Sequence, residues 1–186
     1  RPPIAVRPPL NDDCTAAIAI TSLPHQASGT TVGSTADFDI DSCGANADAN
    51  GVWYSYAPTA TKVVTATVDA GQRMRLYSGE DCDDLACIGQ DDPTQTFVGL
   101  LNVEYRFLVS KQVFSPGTAF TIEVKDYEVP ENDECNSGTG IPSLPYQASG
   151  TTLGALPDFD QVPSCGAYAD ANGVWFSYTP SITKIV

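Results

Sequence analysis

The chain has 186 residues and a formal net charge of −14, from 9 Lys and Arg against 23 Asp and Glu. That charge excludes nucleic acid as a partner, because phosphates would be repelled. With 42% hydrophobic residues a wholly disordered chain is excluded as well, and no apolar run reaches the ~18 residues of a membrane-spanning helix, so no membrane insertion is expected.

Residues 1–10 form an acid-free arm that carries Arg1 and Arg7. Pro2 and Pro3 stiffen it, and Ile4 and Val6 fall on one face of an extended strand. Ile4-Ala5-Val6-Arg7 resembles the later run Ile122-Glu123-Val124-Lys125, and each precedes an Asn-Asp-x-Cys start. The arm therefore reads as the last strand and linker of an upstream copy. Pro2, Pro3, Ile4, Val6 and Arg7 are its candidate assembly residues.

Strand patterns follow in chain order. Val52–Tyr56, Val63–Val68, Arg73–Tyr77, Thr94–Leu100, Tyr105–Val109 and Phe120–Val124 are rich in β-branched and aromatic residues, and several alternate apolar with polar. Met74 and Leu76 share one face of theirs. Asn50-Gly51 and Asn172-Gly173 mark tight turns just before a Trp-containing strand. No stretch sustains a helical period. Many short strands at 8–12-residue spacing predict an all-β fold of antiparallel, jelly-roll-like β-sandwich domains.

The segment from Asn11 to Val64 recurs from Asn132 to Val186, with about two-thirds of aligned positions identical. The spacing of 121 residues is that of a whole domain rather than a solenoid repeat. The expected organisation is an extended arm at 1–10, a complete sandwich repeat at 11–126, a Pro-containing linker at 127–131, and the first half of a second sandwich repeat at 132–186.

The repeat also constrains the six cysteines. Cys14 matches Cys135 and Cys43 matches Cys165, so the simplest bridges are Cys14–Cys43 and Cys135–Cys165, leaving Cys82 and Cys87 to pair across a tight loop. Each ~30-residue bridge would stabilise by roughly 3 kcal/mol in the chain-entropy model. An even count without CxxC or His clusters points to disulfides in an oxidising, extracellular compartment rather than to zinc.

The opening Asn11-Asp12-Asp13-Cys14, the strand Gly51-Val52-Trp53-Tyr54, and the run Leu76-Tyr77-Ser78-Gly79-Glu80-Asp81-Cys82 with Leu85-Ala86-Cys87-Ile88 and Gln90-Asp91-Asp92 carry a resemblance. Together they resemble secreted jelly-roll modules of the pre-peptidase C-terminal domain type, in tandem copies. The resemblance implies an extracellular, non-catalytic module used for binding, adhesion or assembly, and it supplies no catalytic residues.

Each residue that could carry chemistry also has a plainer reading. His25 is the only histidine, but Tyr146 replaces it in the second copy, so it reads as a surface or loop residue rather than a general base. Glu80, Asp81, Asp83, Asp84, Asp91 and Asp92 are the candidate calcium ligands, with Asp37, Asp39 and Asp48 behind them. None has EF-hand spacing, and turn capping explains them equally. No carboxylate pair is set up for glycoside hydrolysis, and no G-x-S-x-G accompanies the lone histidine. Trp53 and Trp175 occupy equivalent strand positions and read as sandwich-core residues ahead of a sugar platform. No N-x-[ST] sequon occurs, while the many Ser and Thr leave O-linked sugars open.

The chain is thus expected to be a non-enzymatic structural subunit of a cell-surface or extracellular filament. It would be built head-to-tail from sandwich repeats, with copies of itself as partners and the half repeat completed by strand addition or by a continuing array. The alternative is a secreted binding or adhesion module for glycans or Ca2+ within a larger protein. No cofactor other than calcium is expected.

Overall fold

The computed structural model describes residues 6–37, 43, 50–69, 71–111, 116–157 and 172–181. The chain divides into two compact units, Arg1–Asp126 and Tyr127–Val186. No helix among the described residues is long and apolar enough to cross a membrane.

The first unit is a sandwich of two sheets. One holds β1 (Ile18–Ile20), β3 (Gly51–Tyr56), β8 (Tyr105–Ser110), β5 (Arg73–Ser78) and β6 (Ala86–Asp92), in that spatial order. The other runs β2 (His25–Thr30), β9 (Ala119–Tyr127), β4 (Lys62–Val68), β7 (Thr94–Gly99). The alternation read from the sequence aims one side chain in two between the sheets. Val52, Tyr54, Met74, Leu76, Phe107 and Val109 from the first sheet meet Val64, Ala66, Val68, Phe120, Ile122 and Val124 from the second. Tyr54 and Phe120 pack edge to face across the gap, with ring centroids 6.3 Å apart. Each such buried large side chain contributes about 1.5–3 kcal/mol.

The all-β class stands, with departures in detail. β1 and β3 are parallel, Ile18 facing Tyr54, because β2 intervenes in the opposite sheet and the chain returns in its original direction. Thr94–Leu100 ends one residue early, at Gly99. β1, β2 and β6 carry no clear alternation of apolar residues, and they form because neighbouring strands supply the ladder. Asn50-Gly51 is not a tight turn. Asn50 bridges Ala36 and Gly51 begins β3. The glycine is required there by close approach, since a Cβ would lie 2.9 Å from the Val109 carbonyl oxygen and against the Leu108 side chain.

A second, smaller core covers the outer face of the five-stranded sheet. Trp53, Tyr77 and Leu108 point away from the inter-sheet core and pack with Cys14 and Cys43. Trp53 is 0% exposed, and its ring centroid lies 5.7 Å from that of Tyr77. It is buried as expected, but beneath loops rather than between the sheets.

Two disulfides tie those loops down, and their pairing corrects the sequence expectation. Cys14 bonds Cys82 and Cys43 bonds Cys87, with Cα separations of 6.0 and 5.4 Å. Neither Cys14–Cys43 nor Cys82–Cys87 forms. Cys87 lies on β6 opposite Tyr77, while Cys82 sits in the preceding turn, near the 3-10 turn Cys14–Ala16. The hairpin thus offers its two cysteines to two different loops. The sequence separations of 68 and 44 residues give each bridge about 4 kcal/mol in the chain-entropy model. The expected Cys135–Cys165 bridge involves Cys165, which lies outside the described residues. Among the described residues Cys135 is exposed and has no disulfide partner.

In the second unit, a 3-10 turn (Cys135–Ser137) precedes β10 (Thr139–Gly140), which pairs in parallel with β11 (Phe176–Ser177). These bonds reproduce those of the first unit. Trp53 N–H donates to the Asn11 carbonyl, and Trp175 N–H to the Asn132 carbonyl, both at 2.8 Å. Asn11 Nδ2 and Asn132 Nδ2 return a bond to the Trp53 and Trp175 carbonyls at 2.9 and 3.0 Å. The Ala36–Asn50 bridge recurs as Pro157–Asn172.

Candidate functional site: an exposed aromatic strand

The repeat makes each unit a control for the other. Val174-Trp175-Phe176-Ser177-Tyr178 matches Val52-Trp53-Tyr54-Ser55-Tyr56 residue for residue in position. Tyr54 is 2% exposed under the second sheet, whereas Phe176 is 44% and Tyr178 37% exposed. Tyr146 lies beside Phe176, edge to face, at a centroid distance of 6.5 Å, and Leu144 and Leu153 are also exposed. Tyr146 and Phe176 are thus adjacent exposed rings of the second unit.

The acids nominated as calcium ligands are not brought together. Among the described residues no group of three or more His, Cys, Asp or Glu could hold a metal ion. Asp91 lies 3.7 Å from Arg75, Asp92 Oδ1 accepts the Thr94 N–H at 3.3 Å, and Asp81 and Asp84 close a turn through their backbones. The Glu80 carbonyl accepts from Arg106 Nη2 at 2.6 Å. Asp83 lies in the same turn. These are the bonds of turn construction. Asp39 and Asp48 lie outside the described residues.

Arg106 reads like a surface residue in the alternating β8 pattern, yet it is buried against the outer-face core. Its Nη1 donates to the Cys14 carbonyl at 2.9 Å and its Nη2 pairs with Glu104 at 2.9 Å. The guanidinium thereby ties the two loops joined by the Cys14–Cys82 bond. His25 is half-buried at the end of β2, opposite Val124. No nucleophile or acid–base partner is bonded to it among the described residues.

Asp37 is the one described acid with a large displacement. Its carboxyl is pushed up to about 6, first by burial, with Asp12 and Asp13 adding to the effect. The Trp53 indole N–H, which donates to Asp37 Oδ1 at 3.1 Å, and Arg75 oppose it. The sequence hides this because Asp37 is one acid among many; its contact with Trp53 is tertiary.

Of the arm residues, Pro2, Pro3 and Ile4 lie outside the described residues. Val6 is 62% exposed, with its side chain near Gly33, and Arg7 is exposed.

No family model matches the sequence, and no curated protein matches it. Among solved structures, PliG of Aeromonas hydrophila, a periplasmic lysozyme inhibitor of g-type lysozyme, is similar at 12% identity and a TM-score of 0.43. That match covers 60% of this chain and 96% of that one. The pre-peptidase C-terminal domain of collagenase from Bacillus anthracis is similar at 15% identity and a TM-score of 0.40, covering 59% and 94%. The Yersinia pseudotuberculosis-derived mitogen is similar at 11% identity and a TM-score of 0.35, covering 59% and 92%. Its two disulfides are the chemistry of an oxidising compartment, extracellular or periplasmic.

Proposed function

We propose that the chain is a non-catalytic structural subunit of an extracellular filament or surface fibre, assembled head-to-tail from β-sandwich repeats. The repeat boundaries in this reading are 11–126 and 132–186, joined by 127–131, with the arm at 1–10 available for contact. One observation carries it. The second unit repeats the hydrogen bonds that seat the Trp strand of the first, so one chain carries like modules in series, an arrangement that head-to-tail assembly extends. The acidic domains and basic arm add charge complementarity, screened beyond roughly 10 Å at 0.1 M salt.

The test is light scattering with negative-stain electron microscopy of the purified chain across a concentration series. Fibres or concentration-dependent oligomers are expected. A monodisperse monomer at every concentration overturns the reading.

A second reading, a secreted glycan-binding or adhesive module, has the exposed Tyr146 and Tyr178 rings in its favour. Trp53 offers it nothing, being buried. Glycan-array binding lost on Tyr178→Ala would support this reading, and a blank array would remove it.

A further inference from the structure

The two disulfides of the first unit differ in what surrounds the sulfur that solvent can reach. In each bond one cysteine is buried, Cys14 at 5% and Cys43 at 3% exposure. The other carries the access. Cys82 is half-buried in the turn before β6 and packs against the outer-face core. Cys87 is exposed on β6, which is the outermost strand of its sheet among the described residues. Thiol–disulfide exchange requires a thiolate to reach one of the two sulfurs, so Cys87 is the open point of attack.

Charge separates the two bonds further. Glu80, Asp81, Asp83 and Asp84 lie within two positions of Cys82, whereas Leu85, Ala86, Ile88 and Gly89, within two positions of Cys87, carry no charge. An anionic thiolate is repelled by the first set and not by the second. Arg106 Nη1 lies 3.8 Å from Cys14 Sγ, but that guanidinium is already paired with Glu104, so it offers little to a thiolate leaving there. The product side favours Cys43. Its φ of +48° lies in the left-handed region that a residue with a Cβ rarely adopts, and the bond to Cys87 restrains it. Cys43 Sγ also lies 3.3 Å from the Gly89 carbonyl oxygen, so the thiol has an acceptor in reach as it forms.

We propose that Cys43–Cys87 is an exchange site for low-molecular-weight thiols, and that Cys14–Cys82 is the bond that holds the fold while exchange proceeds. The incoming thiolate attacks Cys87 Sγ. A new S–S bond forms there as the Cys43–Cys87 bond breaks, the electron pair leaves on the Cys43 sulfur, and Cys43 takes a proton from solvent. The incoming sulfur is oxidised as the Cys43 sulfur is reduced, so no further oxidant or reductant is needed. The inference is independent of the assembly reading, since a monomer would exchange equally.

The test uses the full chain with its free thiols first alkylated by iodoacetamide. It is then exposed to glutathione at about pH 8, where the thiolate is populated, and quenched with N-ethylmaleimide over a time course read by peptide mass spectrometry. Glutathione is expected on Cys87 and N-ethylmaleimide on Cys43, about tenfold or more faster than any reaction at Cys14 or Cys82. Cysteamine, whose ammonium offsets its thiolate, should narrow that gap by reacting faster at Cys82, and so should raising the salt to about 0.5 M. Asp81→Asn, Asp83→Asn and Asp84→Asn combined should narrow it as well. Equal rates at the two bonds, first reaction at Cys14–Cys82, or glutathione on Cys43 would each overturn the proposal. So would rates at both bonds that rise together in low urea, because exchange would then require unfolding of the whole unit.

Discussion

Asn11 and Trp53 hold each other by two hydrogen bonds, Trp53 N–H to the Asn11 carbonyl at 2.8 Å and Asn11 Nδ2 to the Trp53 carbonyl at 2.9 Å. This clamp fastens the chain ahead of the Cys14–Ala16 turn to the strand that carries both cores. Asn11→Ala would leave the Trp53 carbonyl buried and short of a donor. It is expected to cost about 2 kcal/mol in urea unfolding. An unchanged midpoint would mean the clamp is not a significant contributor.

The interlaced disulfides predict a definite peptide map. Proteolysis without reduction should yield Cys14 linked to Cys82 and Cys43 linked to Cys87. Recovery of a Cys82–Cys87 peptide would refute the arrangement. Replacing Cys14 and Cys82 together by Ala should destabilise the first unit by about 2–5 kcal/mol.

Cys135 is exposed and has no disulfide partner among the described residues. Iodoacetamide should therefore alkylate it without denaturant or reductant, while Cys14, Cys43, Cys82 and Cys87 react only after reduction. Mass spectrometry of the digest reads this directly, and an unmodified Cys135 would contradict its exposure.

Asp37 gives the first unit a pH dependence of definite sign. Its carboxyl titrates at about 6 in the folded chain against 3.8 for the free group. Between those values the folded state holds more protons than the unfolded one, so this group's favourable contribution is complete below 3.8 and is lost as pH rises through 6. Asp37→Asn keeps an acceptor for the Trp53 indole and removes the charge. It should raise stability at pH 7 by about 1 kcal/mol, after allowance for solvent screening. It should also remove a step near pH 6 in Trp fluorescence. If the step persists in the variant, another group is responsible.

Gly51→Ala tests the close approach of β3 to β8. The added methyl would press on the Val109 carbonyl and the Leu108 side chain, costing about 1–3 kcal/mol in thermal unfolding. A tight-turn glycine would instead show its cost through backbone conformation, without disturbing Leu108 packing. Proton chemical shifts of the Leu108 methyls separate the two.

Most of the sandwich was legible because burial on one face leaves a period of two in the sequence. β3, β4, β5, β8 and β9 carry it plainly. β1, β2 and β6 do not. β2 alternates half-buried with exposed Gln26, Ser28 and Thr30, and β6 is largely exposed, so neither has an apolar face to advertise.

From the residues alone, this protein's β class, its duplicated segment and its strand faces could be read, since periodicity and identity are properties of neighbours along the chain. Which cysteines of the first unit pair, on which face Trp53 is buried and why the Asp37 carboxyl titrates high were decided only in three dimensions. Each depends on residues tens of positions apart meeting across a sheet, and no local pattern records that distance.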